Sequence, residues 1–263
     1  MSRWTKIFRQ LNRLPEVARC SALTSQWWPL ASAYAGLKKL RLPYTVRFSG
    51  GGETVITDFF DLATFWPIFF TPAYPVSRND KVIIDAGANV GMFTLYAARQ
   101  APQAKIVAIE PFPTTFDRLK QTIEINHLSS VTCLNVALGK EAGQAIMPTT
   151  EMGSQFRQVV TGEDGRPGIP VPVVGLGEML DQQGLDQVDL LKMDIEGGEY
   201  PTLLNATPEA LRRIQRICLE YHPSPDIHSS LERLASHLEN SGFQRTFARD
   251  DGEGYGMARF VRQ

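Results

Sequence analysis

From Lys81 to the C-terminus, short apolar runs alternate with stretches in which apolar residues recur every three or four positions. The runs at 82–85, 105–110, 131–136, 189–194 and 216–221 carry apolar residues in succession, the pattern of parallel strands buried on both faces. The helical period predicts helices near 91–100, 113–127, 176–182, 199–205 and 229–240. Such alternation implies a parallel sheet with helices on both faces. Two further strand-like runs, 243–249 and 255–261, flank Asp250-Asp251-Gly252-Glu253-Gly254 and predict a closing antiparallel hairpin. The expected fold is α/β: a Rossmann-like, seven-stranded, mostly parallel sheet with an antiparallel C-terminal hairpin over residues 81–263. Residues 1–80 are expected to form a helical and hairpin extension packed on that core.

Within the extension, 43–57 reads as a hairpin turning at Ser49-Gly50-Gly51-Gly52-Glu53, and the aromatic-rich stretch 58–70 reads as core rather than pocket lining. The first 41 residues carry Arg3, Lys6, Arg9, Arg13, Arg19, Lys38, Lys39 and Arg41 against a single acid, Glu16, with Ile7, Leu11 and Leu14 at helical spacing. This suits a solvated helix packing on the domain, or a peripheral contact with an anionic membrane. Between 143 and 172 the sequence loosens into Gly, Pro, Thr and Ser, as in a long functional loop that includes Ser154.

Composition changes this picture little. A net charge of −1 gives no field to draw nucleic acid. Cys20, Cys133 and Cys218 are far apart and odd in number, which suits free thiols in a reducing compartment. No run is long and apolar enough to span a membrane, and no signal peptide stands at the start, so the expected location is cytoplasmic.

The chemistry lies at the strand ends. Val82-Ile83-Ile84-Asp85 leads into Ala86-Gly87-Ala88-Asn89-Val90-Gly91, a strand, a tight turn and a helix start. A dinucleotide turn reads G-x-G-x-x-G with no acid inside it. Here the acid precedes the glycines, a placement that repels a pyrophosphate and suits a cationic amino-acid end such as the ammonium of S-adenosylmethionine (SAM). Glu110 ends the next strand, 25 residues after Asp85, where an acid accepts ribose hydroxyls. Asp194, Glu196 and Glu199 crowd a third strand end around Gly197-Gly198, and Glu220 and His222 a fourth. Asp194, Glu220 and His222 on neighbouring strand ends suit either a general-base site or an O/N metal site.

In order, Asp85-Ala86-Gly87-Ala88-Asn89-Val90-Gly91, Glu110-Pro111, Leu191-Lys192-Met193-Asp194-Ile195-Glu196-Gly197-Gly198-Glu199 and Glu220-Tyr221-His222 resemble the FkbM-type SAM-dependent methyltransferases. The resemblance covers about residues 53–222, and Gly198 stands where that family commonly has alanine. It implies a seven-stranded methyltransferase fold and O-methylation of a hydroxyl, often on a sugar, glycan or natural product. The donor would be held by Asp85, Gly87, Asn89, Gly91 and Glu110, with Phe112, Asn135 and Ala137 near the adenine and Asp194 at the border with the acceptor. His222 would be the base, with Glu220 orienting its ring and Asp194 or Glu199 sharing the site. A divalent metal on Asp194, Glu220 and His222 is the alternative mechanism. An NAD enzyme or a non-catalytic binding module are the remaining readings, and titration with SAM and NAD separates them.

Overall fold

The computed structural model describes residues 14–71, 73–148, 168–224, 226 and 229–263. Most of the basic segment, with Arg3, Lys6, Arg9 and Arg13, and the centre of the 143–172 stretch, with Ser154, lie outside the described residues. The chain divides into two compact units, one reaching to Pro75 and including Ile125–His127, the other made of Val76–Glu124 and Leu128–Gln263.

The first unit holds α1 (Leu14–Leu23), α2 (Trp27–Tyr34), the strands β1 (Tyr44–Arg47) and β2 (Glu53–Ile56), and α3 (Phe59–Phe70). β1 and β2 pair antiparallel, as the hairpin pattern predicts. The side chain of Asp58 caps α3 by accepting from the Asp61 amide at 2.8 Å. Phe65, Trp66, Phe69 and Phe70 are buried and pack ring on ring, so these aromatics are core, whereas Phe59 and Phe60 are exposed. The Trp66 indole donates to Glu16 at 2.6 Å, which satisfies a polar atom that burial would otherwise strand.

The second unit is built on β3 (Val82–Ala86), α4 (Met92–Gln100), β4 (Lys105–Ile109), α5 (Pro113–Ile125), β5 (Val131–Leu134), β6 (Ala137–Gly139), β7 (Gly143–Pro148), β8 (Gly168–Gly175), α6 (Leu176–Gln182), β9 (Leu190–Met193), α7 (Glu199–Leu204), α8 (Pro208–Arg212), β10 (Arg216–Tyr221), α9 (Leu231–Asn240), β11 (Phe243–Gly252) and β12 (Tyr255–Arg262). The main sheet has seven strands in the order β11-β12-β10-β9-β3-β4-β5. β3, β4, β5, β9 and β10 run parallel, and β12 is antiparallel to both β10 and β11. The expected sheet and closing hairpin are therefore present. Both faces are covered: Val107 and Ile109 belong to one buried cluster with Met179 and Leu203, while Ala108 belongs to another with Leu119 of α5.

The expectation of one long loop from 143 to 172 is corrected at both ends. β7 and β8 occupy them and form a three-stranded sheet with β6. Pro170 and Pro172 masked this strand in the sequence, because proline cannot donate to a ladder; yet Val171 and Val174 between and beside them are buried. No helix among the described residues is long and apolar enough to cross a membrane.

What positions the site is the order of strands. From β3 the chain moves outward through β4 and β5, then returns to β9 on the other side of β3 and moves outward again through β10. The reversal of direction between β3 and β9 is a topological switch point, and open α/β sheets bind ligands beyond the carboxyl ends of the strands at such a point.

Candidate active site at the strand switch point

Asp85 and Lys192 lie directly opposite each other in the parallel β3–β9 pairing. Both are buried, and the Lys192 ammonium stands 3.0 Å from Asp85 Oδ1. The Thr94 hydroxyl donates to Asp85 Oδ2 at 2.5 Å. Lys192 Nζ also donates to the carbonyls of Gly87 at 2.8 Å and Ala86 at 3.3 Å. Burial lowers the Lys192 pKa, but the charges of Asp85 and Asp194 outweigh it and the net shift is upward. Asp85 thus accepts from Thr94 at Oδ2 and stands against the Lys192 ammonium at Oδ1, which accepts no hydrogen bond. Lys192 had no role in the sequence reading. Its signal was a charge in the middle of an apolar parallel strand, a place a lysine takes only when paired.

The turn after β3 is fixed by its backbone. Gly87 has φ +75°, and a Cβ there would overlap the backbone carbonyl of Asp194. The glycine therefore lets two strand-end loops touch. Gly91, at φ +88°, packs on Leu119 and Thr122 of α5. Asn89 takes φ +50°, donates its amide to Glu110 Oε2 at 3.0 Å, and keeps its side-chain Oδ1 buried with no hydrogen-bond partner.

At the end of β4, Glu110 is buried and its Oε1 accepts from the Phe112 amide at 3.0 Å. Burial raises its pKa to about 7 against the pull of the Phe112 and Asn89 amides. Asn135 clamps this corner by donating to the carbonyls of Glu110 at 2.8 Å and Pro111 at 2.9 Å. Phe112 and Ala137 pack together with Ala145, Met147 and Val171 of the small sheet, so they form a wall behind the corner.

The acids after β9 sort by role. Glu199 is fully buried, and its oxygens accept from the amides of Ile195 at 2.8 Å and Gly197 at 2.9 Å. Its Oε1 also meets His222 Nδ1 at 3.1 Å. A carboxylate only accepts, so Nδ1 carries the hydrogen and Nε2 is turned toward Asp194 and Glu196. Glu196, in the left-handed region at φ +55°, brings Oε2 to 3.6 Å from Nε2, and Asp194 brings Oδ1 to 3.8 Å. The Tyr255 ring stands edge-on to the imidazole at 5.7 Å.

This geometry corrects two expectations. The residue that orients His222 is Glu199, not Glu220. The residues whose donor atoms gather within 4.8 Å of one another are Asp194, Glu196 and His222, not Asp194, Glu220 and His222. In both cases the turn at Glu196-Gly197 decides which acids point inward. Glu220 acts at longer range: burial and then the charge of Asp194 raise its pKa to about 7. Burial also lifts Glu196 to about 8, against the pull of His222. Burial lowers the His222 pKa, but the Glu199 bond and the charges of Glu199, Asp194 and Glu196 carry it up to about 9. Beside the imidazole, Tyr200, Tyr221, Ser224, Ser229, Glu232 and Asp250 line a cavity of about 450 Å³.

A seven-stranded sheet of this order, with a glycine turn after its first parallel strand and an acid closing the second, defines a class I methyltransferase. Residues 85–245 match the model of the methyltransferase FkbM domain, and the chain belongs to the FkbM family of SAM-dependent methyltransferases. It is 30% identical over 211 residues to methyltransferase sdnD of Sordaria araneosa, covering 68% of this chain and 80% of that protein. It is 26% identical over 199 residues to the 31-O-demethyl-FK506 methyltransferase FkbM of Streptomyces tacrolimicus, covering 63% of this chain and 74% of the relative. The crystal structure of methyltransferase FkbM from Methylobacillus flagellatus KT superposes with a TM-score of 0.51 at 14% identity, over 97% of this chain and 60% of that one. At that identity the likeness speaks for the fold alone.

The residues at the switch point fit SAM. The Asn89 carbonyl is a buried acceptor without a donor, suited to an ammonium or amide hydrogen. Each Glu110 oxygen accepts one backbone amide and keeps lone-pair capacity for a ribose hydroxyl.

Proposed function

We propose that the protein transfers the methyl group of SAM to a hydroxyl oxygen of a sugar, glycan or natural-product acceptor. The observation that carries this reading is His222: a buried imidazole locked by Glu199 at one nitrogen, with the other turned to Asp194 and Glu196. In this reading Glu110 binds the ribose and the Gly87–Gly91 turn, with Asn89, binds the methionine portion. Phe112, Asn135 and Ala137 support the adenine side. Asp85 holds Lys192 and so the turn, and Asp194 stands between donor and acceptor.

SAM, when bound, supplies a methyl group already attached to a good leaving group. The chain's own residues must then align the hydroxyl with that methyl and remove the hydroxyl proton as the oxygen–carbon bond forms. The Glu199 bond and the surrounding carboxylates favour the protonated imidazole and carry its pKa up to about 9 against the effect of burial. The hydroxyl therefore meets a cluster, in which Asp194 is the most open carboxylate at 30% exposure, rather than a lone neutral imidazole. The Streptomyces relative is a 31-O-demethyl-FK506 methyltransferase, a name that specifies a missing methyl at oxygen and supports an oxygen acceptor here. Incubation with deuteromethyl-SAM and a panel of sugars, uronic acids and macrolide polyols, read by mass spectrometry and NMR, tests the reading. O-methyl products are expected; label found only on nitrogen or carbon would overturn it.

A further inference from the structure

We propose that Asp194, Glu196 and His222 bind a divalent metal ion, and that the acceptor hydroxyl is activated beside it. The functional half of this rests on the hydroxyl-methylation reading; the binding half does not.

One donor atom from each of the three residues lies within 4.8 Å of the other two. Acids alone would say little, but here an imidazole joins them. His222 is 4% exposed, and its Nε2 points into the cluster. The nearest carboxylate oxygens, at 3.6 and 3.8 Å, are too far to accept a hydrogen bond from it. Nε2 thus stands at ion-pair distance from two carboxylates without a hydrogen bond to either, a spacing that leaves room for a shared cation. Glu199 supplies the complementary half. It fixes Nδ1 at 3.1 Å and leaves Nε2 facing inward, where an incoming cation would displace its proton and take the lone pair, the carboxylate–histidine arrangement that orients metal-binding imidazoles.

The spacing suits an ion. Two ligands at right angles around a cation, each about 2.1 Å from it, lie about 3 Å apart, and opposed ligands about 4.2 Å apart. The two imidazole–carboxylate separations, 3.6 and 3.8 Å, fall between these limits. Two carboxylates and one imidazole favour manganese-like or zinc-like ions over calcium, which takes oxygen ligands. Three protein ligands leave positions for water and for an acceptor oxygen. There the ion would draw electron density from the hydroxyl and ease loss of its proton to solvent. The oxygen–carbon bond would form as the carbon–sulfur bond breaks, with the electron pair staying on sulfur.

The test uses the full chain stripped with chelator, then titrated with Mn²⁺ and followed by electron paramagnetic resonance, with Mg²⁺ and Zn²⁺ followed by calorimetry. One ion per chain is expected. Asp194→Asn, Glu196→Gln and His222→Ala should each weaken binding at least about tenfold, and Glu199→Gln by about 10–100-fold through loss of ring orientation. Circular dichroism and a cooperative urea-unfolding transition would show that each variant is folded. The site would be overturned by stoichiometric binding of none of the three ions, or by binding that the ligand variants leave unchanged. If the ion binds but methyl transfer to a hydroxyl survives its removal, the activating role is overturned while O-methylation stands. If the ion binds and no hydroxyl acceptor is methylated, O-methylation falls and the metal site stands.

Discussion

Glu199 and Glu110 show how two buried carboxylates can do different work. Glu199 spends its oxygens on two backbone amides and one imidazole, so it positions His222 without meeting substrate. In the proposed reading His222 is the group that acts on the acceptor. His222→Ala should lower kcat by about 10²–10⁴ with SAM affinity nearly unchanged, measured by steady-state kinetics beside calorimetry. Turnover close to wild type would remove His222 from the chemistry. Glu110 has lone pairs to spare and a pKa near 7, raised chiefly by burial. Ribose hydroxyls donate best to the ionised form, so SAM binding should strengthen as pH rises through 7 and release a proton below it. Affinity at pH 6 should be about tenfold weaker than at pH 8, and Glu110→Gln should be weak at both. Equal wild-type affinity at the two pH values would take Glu110 out of the donor site. For folding, the raised pKa has the opposite sense. The protonated form favours the native state, and that contribution is lost as pH climbs from the usual carboxylate range through 7.

At the level of elements, the β3–β9 pair is the hinge of the argument, because it sets Asp85 against Lys192 and Gly87 against Asp194. Lys192→Met would leave a buried carboxylate without its cation. The expected cost is about 3–5 kcal/mol in urea unfolding, with much of it recovered when Asp85→Asn is added. If the double variant is as unstable as the single one, the ion pair is not what Lys192 contributes. The strands themselves were legible from the sequence, since Val82 to Ile84 and Lys105 to Ile109 are apolar runs that only a doubly covered sheet accounts for. The acids at their ends were legible for the same reason: a charge that interrupts such a run must stand at its edge or be paired. Pairing across strands was not legible, because register belongs to the sheet rather than to either strand. This is why the ion pair of Asp85 with Lys192 is absent from the sequence pattern. The choice of Glu199 over Glu220 was hidden too. It depends on Glu196 and Gly197 both turning left-handed, and only Gly197 announces that in the sequence. β7 and β8 were hidden by glycine and proline, which signal loops when met without their partners.

For the molecule as a whole, the residues assigned to the donor share one compact unit, Val76–Glu124 with Leu128–Gln263, and come from the ends of β3, β4 and β9 and the start of β6. A ligand that binds only the folded state stabilises it by mass action. At a hundredfold excess over Kd that amounts to about 2.7 kcal/mol. For a unit of 150–250 residues this corresponds to a rise in Tm of about 5–11 °C, measurable by scanning calorimetry. Hydrogen exchange tells where the rise originates. Slower exchange is expected at Gly87, Asn89 and Phe112, because bound SAM would hold the turn and the Glu110 corner to which the Asn89 and Phe112 amides donate. The amides of α3, in the other unit, contribute no assigned donor residue, and their exchange should change little. If SAM raises Tm but protects α3 as strongly as the β3 turn, the donor site has been assigned to too few residues and the first unit contributes to it. If neither Tm nor exchange responds at saturating SAM, the fit of Asn89 and Glu110 to the donor is wrong, however well the fold agrees.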